Sequence, residues 1–269
     1  MRPPELRDNV VIITGGSSGI GREIALQLAA EGALLVLAAR DATLLESAAA
    51  SCRALGTRAI AVPTDVSDQN QCERLILAAM ESFGRIDTLI NNAGISMHAR
   101  FDELDNLDAV ERITRINYLG SIYCTHFALP HLKRSRGRIV VVSSVSGKIG
   151  VPTRTVYAGT KHALAGFFDS LRIELEPDGV SVTVVYPGFV ATDIAERALG
   201  PGGELLGTRP VSKRHVMSAA ECARRTIGAA SARSREVVMV RGGRLGQLLR
   251  IVAPRLVDRI TLRTVERGR

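Results

Sequence analysis

"NVVIITGGSSGIG" (residues 9–21) decides how this chain folds. Its first half is a short apolar, β-branched run that ends in glycine, the pattern of a fully buried strand. Its second half leads into "GREIALQLAAEG" (21–32), where apolar residues recur at helical spacing. Strand, glycine turn and helix together form the opening of a parallel βαβ unit. Glycines at 15, 16, 19 and 21 let the backbone turn sharply and come close to a pyrophosphate at a helix N-terminus. Their spacing differs from the strict G-x-G-x-x-G fingerprint, so rival readings have to be weighed. A phosphate-binding P-loop ends in Gly-Lys-Ser/Thr, but Gly21 is followed by Arg22 and Glu23. "GGSSG" also matches a nucleophile elbow with Ser17 as nucleophile, which would make the protein a hydrolase. An elbow on the first strand lacks the usual preceding strands, and no aspartate–histidine pair follows in the expected context. The plainest alternative is a glycine-rich turn with no ligand.

The same alternation continues outward. "ALLVLAAR" (33–40), "RAIAVPTD" (58–65), "IDTLINNAG" (86–94), "GRIVVVSS" (137–144), "VSVTVVYPG" (180–188) and "EVVMV" (236–240) read as further buried strands. Helical stretches such as "QCERLILAAMESFG" (71–84) lie between them. Continuous apolar strands alternating with helices predict a seven-stranded parallel sheet covered on both faces. Right-handed crossovers make this a single doubly wound α/β domain of Rossmann type over residues 1–240, with ligands at the C-terminal ends of the strands. No repeat, low-complexity block or linker interrupts it.

Composition narrows the function. At 46% hydrophobic and 23% charged, the chain has the make-up of a soluble globular protein, and 269 residues suffice for a sizeable core. Aromatics make up 4% with no Trp, which argues against a base-stacking nucleic-acid platform. Cys52, Cys72, Cys124 and Cys222 are scattered, a spacing that suits free thiols in a reducing compartment rather than disulfides or zinc. The N-terminus does not read as a secretory signal, and no apolar run is long enough for a membrane span, so the expectation is a cytoplasmic protein. The net charge of +8 is uneven: residues 241–269 carry eight arginines against Asp258 and Glu266. The near-neutral remainder makes the high pI a weak argument for nucleic acid.

The end of the second strand bears on the cofactor. NAD sites tend to place an acid there for the ribose 2′-hydroxyl. This strand ends Ala38, Ala39, Arg40, a guanidinium suited to a 2′-phosphate, which predicts NADP(H) ahead of NAD(H). Asp41 could cap the next helix, and Arg40 could instead be a solvated loop residue.

Tyr157 and Lys161 in "YAGTK" share a helix face. Alone, such a pair is more readily a half-buried tyrosine beside a solvated lysine than an acid/base device. The set around it changes that: the loop at 14–21, Asp65-Val66, "NNAG" (91–94), Asn117, Ser144, Tyr157-x-x-x-Lys161 and "PGFVATD" (187–193) follow in order. Over about residues 7–240 the chain resembles the short-chain dehydrogenase/reductases. The stretch "IVVVSSVSGKIGVPTRTVYAGTKHALAGFFDSLRIEL" (139–175) resembles their NADP-preferring branch of hydroxysteroid dehydrogenases and microsomal-type reductases.

The resemblance implies roles. Tyr157 would be general acid in carbonyl reduction and base in alcohol oxidation. Lys161 would lower its pKa and hold the nicotinamide ribose. Ser144, thirteen residues before Tyr157, would bond the substrate oxygen, its neighbours Ser143 and Ser146 being set aside on spacing. Asn117 would hold a water linking Lys161 to solvent. Gly15, Ser17, Ser18, Gly19, Ile20, Gly21, Arg40, Asp65, Val66, Asn92, Ala93, Gly94, Pro187, Gly188, Val190 and Thr192 would join Tyr157 and Lys161 around the cofactor. Each has a bland alternative: Ser144 or Asp65 as caps, Asn117 satisfying helix backbone, "NNAG" as a turn. The chemistry itself calls for a donor beside the carbonyl oxygen, which gains charge as hydride arrives. No metal is required, and His98, His126, His131, His162 and His215 show no ligand pattern. A non-catalytic dinucleotide-binding regulator or scaffold is the alternative function.

Residues 189–217 lose periodicity, and the resemblance makes them a substrate lid. Ile194, Ala195, Leu199, Leu205 and Leu206 there suit a lipophilic carbonyl or alcohol, or could pack a short helix on the sheet. In the extension 241–269, Leu245, Leu248, Leu249, Val252, Leu256 and Ile260 recur at helical spacing among arginines, with Pro254 a break. Such a basic amphipathic tail could make peripheral membrane contact, dock on a partner subunit or cover its own domain. The resemblance also implies a homodimer or homotetramer through two long helices, one carrying Tyr157; the tail counts against the tetramer.

Overall fold

A computed structural model describes residues 6–207, 216–240 and 249–266. Seven parallel strands form the central sheet: β1 (Val10–Thr14), β2 (Leu34–Ala39), β3 (Ala59–Pro63), β4 (Thr88–Asn91), β5 (Arg138–Val142), β6 (Ser181–Tyr186) and β9 (Glu236–Val238). Their spatial order is β3-β2-β1-β4-β5-β6-β9. All seven expected strands are present, each trimmed by two to five residues where the loops begin. A separate two-stranded ladder, β7 (Val190–Ala191) with β8 (Met217–Ser218), ties the two ends of the expected lid together.

Burial explains why each strand reads as an unbroken apolar run. Val11 and Ile13 of β1 face one layer, while Val10 and Ile12 face the other, and all four are fully buried. On the first face pack α1 (Gly19–Ala30), α2 (Ala42–Ala54) and α7 (Ala219–Ser231), through Ile24, Leu28, Leu45 and Ile227. On the second pack α3 (Gln69–Phe83), α5 (Gly120–Ser135) and α6 (Thr155–Glu174), through Leu75, Leu132, Leu164 and Phe168. Each such side chain contributes about 1.5–3 kcal/mol of burial, which the conformational entropy of ordering the chain largely offsets. Cys52, Cys72, Cys124 and Cys222 are all free and buried in these layers.

Asp41 caps α2 by accepting from the Leu44 amide at 2.9 Å, as expected. Asp68, not Asp65, caps α3, accepting from the Asn70 and Gln71 amides. Between α4 (Asp108–Thr114) and α5 the helix passes through a π-turn, Arg115–Leu119, that periodicity gave no sign of and that contains Asn117. In the tail, Pro254 stands at the first position of α8 (Pro254–Glu266), where its missing amide is harmless, so the break is real. Val252 is 70% exposed, Leu256 48% and Ile260 52%; Leu245 and Leu248 lie outside the described residues. No helix among the described residues is long and apolar enough to cross a membrane.

The chain leaves β1 for β2 and β3 on one side, then returns to β4 on the other. This reversal opens a crevice beyond the C-terminal ends of β1 and β4, where ligands of open α/β sheets bind.

Candidate active site

A cleft of about 750 Å³ lies in that crevice. One wall is the glycine loop after β1. Gly15 (φ +66°) and Gly19 (φ +54°) hold left-handed conformations that an L side chain resists. A Cβ on Gly15 would lie 2.8 Å from Asn92 Nδ2, so the loop is pressed against "NNAG". Asn92 Nδ2 donates to the Thr14 and Gly15 carbonyls, and Thr14 Oγ1 accepts from the Asn92 and Ala93 amides. Ser18, at the N-cap of α1, makes no side-chain cap bond, and the first turn carries no acid. The amides of that turn are therefore suited to an anion in the cleft, and the loop fits a pyrophosphate.

Gly15, Ser17, Ser18, Gly19, Ile20, Arg40, Asp65, Val66, Asn92, Ala93 and Gly94 all line the cleft, as do Ser144, Tyr157, Lys161, Pro187, Gly188, Val190 and Thr192. Two expected residues do not. Gly21 lies behind the loop, where a Cβ would overlap the Gly15 carbonyl and stand 2.6 Å from Asn92 Nδ2, so only a residue without a side chain fits there. Asn117 is fully buried: Oδ1 accepts from the Ile95 amide at 2.8 Å, and Nδ2 donates to the Ile95 carbonyl at 2.9 Å. Its side chain clamps the loop after β4 instead of facing the ligand space. Asp65 accepts from the amide and hydroxyl of Ser67 through Oδ1, which fixes its carboxylate at the cleft wall. No histidine lines the cleft among the described residues, so Ser17 has no base of the kind a hydrolase elbow needs.

Ser144 lies two residues beyond β5 and caps a 3₁₀ turn, Val145–Gly147, its Oγ accepting from the Ser146 amide at 3.1 Å. That leaves its proton to donate into the cleft, which the Tyr157 phenol also lines. Ser143 Oγ is turned away, donating to the Lys161 carbonyl. Lys161 Nζ donates to the Val142 carbonyl at 3.0 Å and lies 5.6 Å from the Tyr157 ring centroid. Burial alone pulls its pKa down to about 8.

The phenol behaves differently from the expectation. Burial raises the Tyr157 pKa above the ordinary tyrosine value, opposed by the nearby Ser144 hydroxyl and the charge of Arg154. Lys161 is not among the groups that lower it. The physical reason is that the desolvation penalty on a phenolate outweighs both helpers, while the lysine is directed at a main-chain carbonyl.

Sequence reasoning missed Ser96, Arg112, Arg154, Asp193, Arg197 and Val216, which also line the cleft. Asp193 closes the "PGFVATD" motif and Arg197 and Val216 fall in the aperiodic stretch 189–217, but Ser96, Arg112 and Arg154 come from a loop and helix ends that no shared spacing announces. Of the apolar candidates, Ile194, Ala195, Leu199 and Leu205 line the cleft and Leu206 does not. Leu199 forms isolated bridges with Met97 and Leu205, which hold this segment over the cleft mouth.

Known proteins resemble the chain in the same terms. A family model for short chain dehydrogenases matches residues 9–199. The 11-beta-hydroxysteroid dehydrogenase-like 3 of Arabidopsis thaliana is 44% identical over 186 residues, covering 69% of this chain and 60% of the relative. The chain therefore matches only about three fifths of that relative's length. The 11-beta-hydroxysteroid dehydrogenase 1A of the same plant is 34% identical over 94% of this chain and 74% of its own. Among solved structures, a short chain dehydrogenase/reductase from Burkholderia phymatum in complex with NAD matches with TM-score 0.82 and 27% identity, covering 94% of this chain and 96% of its own. Levodione reductase matches with TM-score 0.77 and 27% identity, over 88% and 98%. With the doubly wound sheet, the glycine loop and the Ser144–Tyr157–Lys161 cleft in place, this chain belongs to the short chain dehydrogenase family.

Proposed function

We propose that the protein is an NADP(H)-dependent oxidoreductase that interconverts a carbonyl and a secondary alcohol on a substrate with an apolar body. The observation that carries this is the convergence of Ser144, Tyr157 and Lys161, the last one helical turn beyond the tyrosine, on the cleft that the glycine loop opens. Gly15, Ser17, Ser18, Gly19 and Ile20 would hold the pyrophosphate, Asp65 and Val66 the adenine end, and Asn92, Ala93 and Gly94 the adjoining ribose. Pro187, Gly188, Val190 and Thr192 would support the nicotinamide. NADPH, when bound, supplies the hydride. Ser144 would donate a hydrogen bond to the substrate oxygen, and Tyr157 would give it the phenol proton as charge develops there. The phenol, raised above its ordinary pKa, holds that proton at neutral pH until charge develops on the substrate oxygen. Lys161, near pKa 8, would exchange a proton toward solvent and restore the phenol. In that path Asn117 would act through the loop it clamps.

The NADP preference rests on Arg40 at the cleft and on Asp41, whose carboxylate is engaged in capping α2. In this reading, residues 1–240 are the catalytic unit, 189–217 cover the substrate and 241–269 are an appended basic element. A homodimer or homotetramer through α5 and α6, and peripheral membrane contact through the exposed apolar residues of the tail, complete it. Fluorescence titration of NADPH against NADH, then carbonyl-panel reduction followed by NADPH absorbance, tests the central assignment. Tighter NADPH binding with turnover of at least one ketone is expected. NADPH binding without turnover across the panel would favour a non-catalytic dinucleotide-binding protein.

A further inference from the structure

Arg154 sits where three physical considerations oppose it. It is the N-cap residue of α6, a 20-residue helix whose dipole disfavours a cation at that end, and no acid lies in the first turn. Most of its surface is withdrawn from water, and burial pulls its pKa below the usual arginine value. Its guanidinium makes no hydrogen bond or ion pair among the described residues; it lies 5.4 Å from the centroid of the Phe189 ring. A partly desolvated arginine with five donors and no acceptor is costly unless something else supplies the acceptor.

The backbone holds it there under strain. Thr153, the residue before it, adopts φ +64°, a conformation that a β-branched residue rarely takes. The buried Thr153 is fixed by its Oγ1 contact with His98 Nδ1 at 3.1 Å and by the Ala99 amide, which donates to its carbonyl at 3.0 Å. Strain kept in place by several contacts beside a cleft points to a ligand function. Arg154 opens into the same cleft as Tyr157, one helical turn before it, and the cleft mouth adds Arg112 and Arg197, with Asp193 paired to Arg197. Charge at this end is therefore positive.

Resting on the oxidoreductase reading above, we infer that Arg154 is a specificity-determining residue that binds an anionic group, a carboxylate, on the substrate. The carbonyl sits at Ser144 and Tyr157, the carboxylate lies a few bonds away on the guanidinium, and Phe189 and Leu199 cover the apolar remainder.

Matched probes test this: 2-, 4- and 6-oxononanoate, each against its methyl ester, with wild type, Arg154→Met and Arg154→Lys. For at least one acid, wild type should show kcat/KM ~10- to 100-fold above the ester. Arg154→Met should bring that ratio near unity, and Arg154→Lys should retain part of it because charge survives without the bidentate fork. If no acid exceeds its ester, or the ratio survives in Arg154→Met, the inference is wrong. A loss shared equally by acid and ester would leave Arg154 only a support for Phe189, and would also overturn it. Calorimetric binding of the same probes separates this from the parent reading. Acid binding that needs Arg154, without turnover, would uphold the anion site and refute the oxidoreductase. Turnover of acids and esters alike would do the reverse.

Discussion

The proposed cofactor end and the proposed substrate end of the cleft are built by different means. The cofactor end is main chain: the loop after β1, the amides opening α1 and the "NNAG" turn, locked together by Asn92 and Thr14. The substrate end is side chains from separate places: Arg112 before the π-turn, Arg154 at the start of α6, and Phe189 to Leu205 beyond β6. Backbone recognition demands glycine at fixed positions. Side-chain recognition needs only convergence in space, and leaves the sequence between its parts unconstrained.

The sharpest way to break this comparison is to disturb the main-chain end without touching the ligand. Gly21→Ala places a methyl group against the Gly15 carbonyl and Asn92 Nδ2, so the loop must move. NADPH affinity is expected to fall at least ~100-fold, or about 2.7 kcal/mol, in a fluorescence titration. Retained affinity would mean that the loop is not the cofactor cradle. Arg40→Ala is a milder probe at the same end. Losing one charge-assisted contact should reduce the NADPH-to-NADH affinity ratio ~10-fold or more and leave NADH binding within a few-fold. An unchanged ratio would reassign Arg40 as a solvated loop residue.

The fold was legible because buried parallel strands are continuous apolar runs, and the glycine loop was legible because its geometry admits few residues. Ser144, Tyr157 and Lys161 were legible by spacing, and the structure brings them to one cleft. The position of Gly21 behind the loop and of Asn117 in a π-turn was not, because neither a contact partner nor an inserted helix residue alters the local pattern. The direction of the Tyr157 shift was hidden too. It depends on burial and on where the Lys161 ammonium points, and residues 157–161 encode neither.

Lys161 gives a prediction on stability. Its folded-state pKa, about 8, lies below the unfolded value near 10.5. Below pH 8 the lysine is charged in both states and the folded state bears the full burial penalty. That penalty fades as pH rises from about 8 to 10.5, so the group's contribution improves over this window. In cofactor-free protein, Lys161→Met should be more stable than wild type by about 1–3 kcal/mol at pH 7, with the gap closing toward pH 10.5 in urea titrations. A gap independent of pH would show that Lys161 is not held as described.

The smallest expected effect belongs to the tail. Full-length protein should float with anionic liposomes more than a form ending at Arg241, and the difference should shrink with salt. Equal flotation would remove membrane contact from the proposal.

Tyr157→Phe tests the central claim most directly. Measured as NADPH consumption with a ketone that wild type reduces, turnover should fall at least ~10²–10⁴-fold, the range of acid–base assistance, while NADPH affinity stays within a few-fold. Reduction that survives the loss of this one hydroxyl would contradict Tyr157 as the proton donor, and with it the mechanism proposed for this cleft.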